Sequence, residues 1–375
     1  MRFVRENLFY VILAAVVAVG GGAATFYYFN SGIAETLQSR KQVSDQLRDL
    51  ARQELKVDPN AVEAMEKRIA DLTRANGDDL KACLLFNRRN LPVLKLRIGT
   101  TGLSDANAFP VDEKRYREQG LYISFVKQYV TTLDHMVDGL MPTTLPTPEE
   151  VRIERDNLAE KFKESGQLEE KALQSAKLRN ARQGLIYIDP KTALNPVFTL
   201  ADQATSPAQE KLWEAQVNLW LTDEIVRAIA ATNRQWIAEQ QAQGVEQKPS
   251  VLNSAVKHLE SIKITAAMTA FPGVQRSVSR LTQRETCAQY AVVPYTFIVV
   301  MPTRHIGRLA CALETQNYHT VTNIGLSVVP QAKEGYYYGI EPVMRVQVDG
   351  EMLLLADWIR NLMPASLAVQ FGKAK

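Results

Sequence analysis

Four histidines, three cysteines and several paired carboxylates are the side chains here with chemistry to offer, and their spacing decides whether any act together. The histidines are His135, His258, His305 and His319. His305 and His319 flank one predicted helix and could approach each other. A metal would still need further ligands, and two exposed or capping histidines explain the pair equally. Cys83, Cys287 and Cys311 form neither a CxxC nor a zinc-ligand spacing. A Cys287–Cys311 bridge in an oxidising compartment and a set of free thiols are both open readings. Glu149-Glu150 and Glu169-Glu170 lie in charged helical stretches. A solvated face accounts for them better than acid–base catalysis, which needs carboxylates converging in a pocket. Trp213, Trp220 and Trp236 share one predicted helix and read as core rather than as a sugar-binding platform. Tyr336, Tyr337 and Tyr338 sit in a glycine-bounded loop, where clustered aromatics either anchor an interface or pack onto the end of a sheet. The sequence has no GxxxxGK[ST], no GxGxxG after a strand, no HExxH and no GxSxG. It predicts no catalytic residue, no cofactor and no metal site: the chain does not read as an enzyme.

The elements that would position these groups begin with an anchor. Leu8 to Phe29 reads LFYVILAAVVAVGGGAATFYYF, without a charge. At about 1.5 Å per residue such a helix covers the roughly 30 Å of a bilayer's hydrocarbon core. Aromatic residues bracket it, Phe9 and Tyr10 at one end and Phe26 to Phe29 at the other, the pattern of an interfacial belt. Arg2 and Arg5 precede it, and the next basic residue is Arg40. That bias places the N-terminus in the cytoplasm and the rest across the membrane. The competing reading is a signal peptide cut near Gly22-Ala23-Ala24, which the aromatic run just beyond opposes. Gly20, Gly21 and Gly22 either admit a neighbouring helix or merely soften this one.

The 375 residues favour two or three modules. A hydrophobic fraction of 46% and a charged fraction of 23% exclude a multi-span membrane protein and a disordered chain. A net charge of +3, with no basic block interleaved with aromatics, excludes a nucleic-acid partner.

After the anchor, Val43, Leu47 and Leu50 stand at spacings of four and three. Pro59 opens a new helix with Asp58 as its cap, and Asn76-Gly77 closes it. Within it Val62, Met65, Ile69 and Leu72 repeat the three-four pattern of a coiled-coil seam. This is a stalk that pairs with another helix, or an amphipathic helix lying on its own domain.

Residues 78–249 read as a mixed, mostly helical region. LPVLKLRIG (Leu91–Gly99) alternates like a strand, and the stripe from Tyr122 to Leu140 is one face of a helix. MPTTLPTP (Met141–Pro148) is a proline-rich linker, and a charged helical stretch and the short strand GLIYID follow. A long helix from about Pro207 to Gln243 has apolar residues on more than one face. Ser250 is an N-cap candidate for a helix holding Leu252, Val256 and Leu259. Strands then follow near Ile262 and at Ala291–Met301. A helix with Ile306, Leu309 and Leu313 inward comes next, and then strands at His319–Val329 and Val343–Leu354. The order α-β-β-α-β-β predicts four antiparallel strands under two helices, a permuted ferredoxin-like arrangement. The predicted organisation is α+β: a tail over 1–7, a transmembrane helix over 8–29, a stalk over 30–77, the mixed region over 78–249 and the ferredoxin-like domain over 250–375.

This architecture resembles the bitopic inner-membrane assembly proteins of type IV pili and type II secretion systems, the PilO and GspM kind. The resemblance covers Leu8–Ala75 and about Ser250–Leu354. It implies a non-enzymatic scaffold in the inner membrane that forms homodimers or heterodimers through the stalk and the C-terminal domain, with its N-terminus cytoplasmic and its C-terminal domain periplasmic. Its implied partners are the lipid bilayer, a second copy or a related bitopic protein, and other components of a pilus or secretion machine. MRFVREN lacks the cytoplasmic Asn-Leu-Leu-Pro-like motif of the PilN kind, which favours the PilO-like role. The alternative is a membrane-anchored periplasmic ligand-binding or sensor protein, for which the histidine pair and the tyrosine cluster are the hints.

Overall fold

The computed structural model describes residues 8–30, 33–52, 59–87, 94–97, 105–110, 121–159, 168–204, 207–264, 281–330 and 335–369. The chain forms two compact units, Met1–Gly77 and Asp78–Lys375. The first holds helices α1 (Leu8–Asn30) and α2 (Ile33–Arg52) and the beginning of α3 (Pro59–Asn87). Pro59 opens α3 because its fixed φ suits a first helical turn and its missing N–H would go unpaired there anyway. The expected stop at Asn76-Gly77 does not occur: α3 runs on to Asn87. A lone glycine costs a helix only about 1 kcal/mol against alanine. The last residue of α3 is also tied down by side-chain hydrogen bonds within the second unit.

The second unit is built on a six-stranded mixed sheet in the order β3 (Pro142–Thr143), β4 (Ile186–Ile188), β5 (His258–Ile264), β6 (Tyr290–Met301), β8 (Met344–Leu355), β7 (His319–Val328). β3, β4 and β5 pair in parallel, and the rest are antiparallel. A separate two-stranded ribbon joins β1 (Lys95–Arg97) to β2 (Asp105–Asn107). Three helices precede or separate the first strands of the sheet: α4 (Leu121–Met136), α5 (Pro148–Ala159) and α6 (Leu168–Gln183), followed by the short α7 (Pro190–Ala193). The long helix α8 (Gln209–Ala242) and helix α9 (Ile306–Gln316) pack on each other, and α8 also packs on β5. Two short helices, α10 (Ala356–Ile359) and α11 (Ala365–Ala368), close the described chain.

One face of the sheet is the core. Leu259, Ile262, Phe297, Val299, Val346 and Val348 alternate inward and meet Trp213, Trp220, Ile225 and Ile229 of α8, all buried. The period-two alternation of the strands and the all-round apolar surface of α8 are the sequence causes of this layer.

The αββαββ order is realised, with α8 and not a helix at Ser250 as its first helix. Residues 250–254 form a turn, in which Ser250 N–H donates to Asn253 Oδ1 and Ser254 N–H to the Ser250 carbonyl. The Nζ of Lys257 donates to the carbonyls of Val251 and Leu252, so those carbonyls are held by a side chain instead of a helical ladder. The sheet has six strands where four were expected. It continues across residue 250, because β3 and β4 extend it on the β5 side. The proline-rich linker is therefore part of the sheet. Pro142 suits a short edge strand, since it lacks the N–H that a central strand would need. Gly184 permits the close approach of this edge, since a Cβ there would lie 2.6 Å from the Met141 carbonyl oxygen.

Candidate interaction surface

The seam residues predicted on the stalk all face outward. Val62 is 38% exposed, Met65 69%, Ile69 63% and Leu72 58%. Off the seam, Asp71 and Arg74 form an exposed pair at 2.6 Å, as expected one helical turn apart. On α2, Leu37, Val43 and Leu47 are likewise exposed. An apolar stripe of this length gains nothing from water, so burying it against another helix would be favourable.

The predicted anchor forms one continuous helix, α1, of 23 residues. The side chains of its bounding residues Leu8 and Phe29 lie outside the described residues. Among the described residues no helix is long and apolar enough to cross a membrane. Within α1 the described side chains are Leu13 and the eleven from Val16 to Phe26, a stretch shorter than a span. Leu13, Val16, Val17, Val19 and Phe26 are all exposed.

The tyrosine loop is not an exposed cluster. Tyr338 is fully buried, and its hydroxyl meets His258 Nδ1 at 2.8 Å. Tyr336 packs on His258 with ring centroids 4.3 Å apart and on Tyr187 at 4.9 Å. The Tyr187 hydroxyl donates to the Tyr337 carbonyl, and burial holds its pKa up at about 12. The loop packs onto the sheet end as a second small core with Val251, Val300 and Val343.

Nor do His305 and His319 form one site. His305 packs against Trp236 with the rings tilted and their centroids 4.5 Å apart, the Arg304 guanidinium lies over the same Trp236 ring at 4.8 Å, and His305 Nε2 accepts from Arg304 Nε at 3.2 Å. Burial first, and then the positive charges of Arg304, Arg308 and Lys257, push its pKa down to about 4, against a smaller pull from Glu239. Lys257 is itself buried, and burial lowers its pKa to about 8, with Glu341 opposing and Arg304 assisting. His135 pairs at the surface with Asp138 at 3.0 Å. Among the described residues no group of three or more His, Cys, Asp or Glu could hold a metal. The three cysteines are free thiols, so the Cys287–Cys311 bridge is not formed; Cys287 Sγ instead meets Gln289 Oε1 at 3.0 Å.

His319 belongs to a buried polar chain that sequence reasoning missed. Its Nδ1 meets the Tyr295 hydroxyl at 3.1 Å and its Nε2 meets Glu224 Oε2 at 3.0 Å. The other Glu224 oxygen accepts from Asn317 Nδ2 at 3.0 Å, and Asn317 Oδ1 accepts from Asn87 Nδ2 at 2.8 Å. Asn87 also donates to the Leu353 carbonyl, and its Oδ1 accepts from the Leu355 N–H. All five residues are buried. Gly350 makes the first link geometrically open. It faces Tyr295 across the β6–β8 ladder, and without a Cβ it lets the tyrosine ring lie over β8 toward β7. The chain therefore clasps the last residue of α3 to α8, to the α9–β7 junction and to β8. Such a fully paired network rigidifies what it joins, because each member would be costly to leave unpaired. The one sequence signal was Glu224, a carboxylate amid the apolar residues of α8.

No family model and no curated protein sequence matches this chain. Solved structures similar to it include a crystal structure from Akkermansia muciniphila, 10% identical over 61% of this chain and 94% of that one, with a TM-score of 0.28. Another is the core region of PilO from the type IV pilus system of Pseudomonas aeruginosa, 13% identical over 32% of this chain and 92% of that one, with a TM-score of 0.17. TM-scores this low do not by themselves define a shared fold.

Proposed function

We propose that this chain is a membrane-anchored scaffold that acts by binding and not by catalysis, pairing through the α3 seam within an envelope-spanning pilus or secretion machine. The observation that carries the reading is the exposed seam of Val62, Met65, Ile69 and Leu72. In heptad terms Val62 and Ile69 are a positions and Met65 and Leu72 d positions. β-Branched residues at a with leucine-like residues at d suit a two-stranded parallel pair. Asn76 falls at the next a position, where a polar residue fixes register at a cost in stability. The anchor is α1, uncharged throughout its 23 residues, with Arg2 and Arg5 before it. That charge bias supports a cytoplasmic N-terminus and a periplasmic second unit. The pilus or secretion setting is supported by architecture alone: anchor, helical stalk, and an αββαββ core with strand order β5-β6-β8-β7. Fold is a weaker guide to function than a site is.

The test is cross-linking of the full chain in detergent. The double substitution Ile69→Glu with Leu72→Glu should abolish pairing through α3, measured as loss of cross-linking between copies, or between the chain and its partner, at Met65→Cys. A reporter active only outside the cytoplasm, fused after Lys375, should be active. Undiminished cross-linking at Met65→Cys in the double variant would remove the seam from the mechanism. An inactive reporter would remove the topology.

A further inference from the structure

Helices α2 and α3 carry different patterns, and only α3 carries a seam. At about 100° per residue, Ile33, Leu37, Val43, Leu47 and Leu50 of α2 fall on one arc about 140° wide. Leu37 is 49% exposed, Val43 53% and Leu47 61%. Written as heptads with Val43 and Leu50 at d, the a positions of α2 are Ile33, Arg40 and Leu47. A helix pair would bury Arg40 in its seam, where a charge is costly unless it is paired. The e and g positions of a coiled coil normally carry the charges that set partner and orientation. On α2 they are Leu37, Ser44 and Ala51, and Ser39 and Gln46, all uncharged. On α3 the same positions beside the seam include Glu66 and Arg68.

The charges of α2 are sorted by sign. Arg40 lies within the apolar arc, and Arg48, Lys41 and Arg52 line one border of it. Asp45, Asp49 and Glu35 occupy the far side. Arg40, Lys41 and Arg48 are exposed, as are the three carboxylates. Basic side chains on or beside an apolar face run their stems over hydrocarbon and set their charge among lipid phosphates. Carboxylates on the far side stay clear of the same phosphates. Position supplies the surface. α2 begins at Ile33, three residues after Asn30 ends α1. Between them stand Ser31 and Gly32, residue types that turns use.

We propose that α2 lies in the membrane interface, with Leu37, Val43 and Leu47 in the acyl boundary and Arg40, Lys41 and Arg48 on the phosphates of anionic lipids. This rests on the reading of α1 as the anchor, and it leaves the α3 seam free. An interfacial helix sinks its apolar face about 5–10 Å into the boundary between headgroups and acyl chains. Its far side, here Gln38 and Gln42, stays in water. The anchor holds α2 beside the surface at a high effective concentration, so the apolar area of one helix is enough. Each Lys or Arg near an anionic surface strengthens the attachment about fivefold. Helix pairing then begins only with α3, which Pro59 opens as a separate helix.

The experiment uses the full chain with Cys83, Cys287 and Cys311 changed to Ser, in vesicles of phosphatidylcholine with about one third phosphatidylglycerol. Single cysteines at Leu37→Cys, Leu47→Cys, Gln38→Cys and Gln42→Cys carry an environment-sensitive fluorophore, and lipid spin-labelled near the headgroup quenches it. Quenching at residues 37 and 47 should be at least about threefold stronger than at residues 38 and 42. Changing Arg40, Lys41 and Arg48 together to Gln, or omitting phosphatidylglycerol, should each lower the quenching at residue 47 by about half or more. Val17→Cys in α1, read with lipid labelled deep in the acyl chain, tests the anchor separately. No quenching at residue 17 would remove the anchor and the proposal with it. Strong quenching there, with residue 47 no more quenched than residue 42, would overturn the proposal alone. So would a probe at residue 47 shielded from both spin-labelled lipid and aqueous iodide, as a helix pair would shield it. Quenching at residue 47 that neither the three glutamines nor neutral vesicles reduce would overturn it too.

Discussion

Replacing Gly350 by alanine tests whether the buried polar chain holds the second unit together. A Cβ at residue 350 would stand 2.5 Å from the Tyr295 hydroxyl oxygen and 2.8 Å from its Cε2. Non-bonded heavy atoms settle at roughly 3.5–4.0 Å, so the ring would have to move by about 1 Å. It has little room: Tyr295 is 1% exposed, stacked on Phe297 and edge-on to His319. Overpacking of this kind costs about 1–3 kcal/mol. The 3.1 Å contact to His319 would be lost with the shift. A buried polar group left unpaired adds about 1–3 kcal/mol. Gly350→Ala should therefore remove about 2–6 kcal/mol, a large part of the roughly 5–15 kcal/mol that a domain possesses. Gly325→Ala on β7 is the control, because its Cβ would meet only Gln347 Cβ, at 3.6 Å. It should change stability by less than about 0.5 kcal/mol. Urea unfolding followed by tryptophan fluorescence is the assay, since Trp213 and Trp220 report on the core that Tyr295 shares. In a Tyr295→Leu background the alanine should cost less than about 1 kcal/mol, because the atoms it displaces are gone. Equal costs for the two glycines, or an undiminished cost in the Tyr295→Leu background, would refute the clasp.

Val346→Asp should cost several kcal/mol by urea unfolding, as an unpaired charge in the core layer. Arg345→Asp, on the opposite face, should cost about 1–2 kcal/mol, because Arg345 Nε donates to Glu260 at 2.7 Å and an aspartate there would face that carboxylate. Equal effects would show the strand phase to be wrong. Acid should weaken the protein through His305. Its folded pKa of about 4 lies below the ordinary value near 6.5, so the unfolded chain binds the proton first and stability falls as pH drops from about 6.5 to 4. At about 1.4 kcal/mol per pH unit the loss approaches 2–3 kcal/mol, and His305→Gln should flatten that part of the stability–pH profile. A profile unchanged by His305→Gln would show that the imidazole does not titrate in that window.

The sequence alone determined the elements whose signal is local. The apolar run of β6, the period-two alternation of β8 and the apolar surface of α8 depend on neighbours a few residues apart, and the structure places all three close to where the pattern puts them. That Ile69 and Leu72 share one face of α3 was also readable, since a three-four stripe amid charges marks a face whatever covers it, whereas the exposure of that face came only from the structure. What the tertiary structure decided rests on partners far away in the chain. The helix expected at Ser250 is a turn because Lys257 holds its carbonyls, and Val251 N–H is taken by the carbonyls of Ala181 and Gly184. The proline-rich segment after Met141 is a strand because β4, more than forty residues later, offers it an edge. Nothing local marks Asn87 and Asn317 for a shared role. They became part of a clasp because they meet each other 230 residues apart and Asn317 meets Glu224 93 residues away. Side-chain hydrogen bonds of that separation leave no periodicity behind, so only the folded chain reveals them.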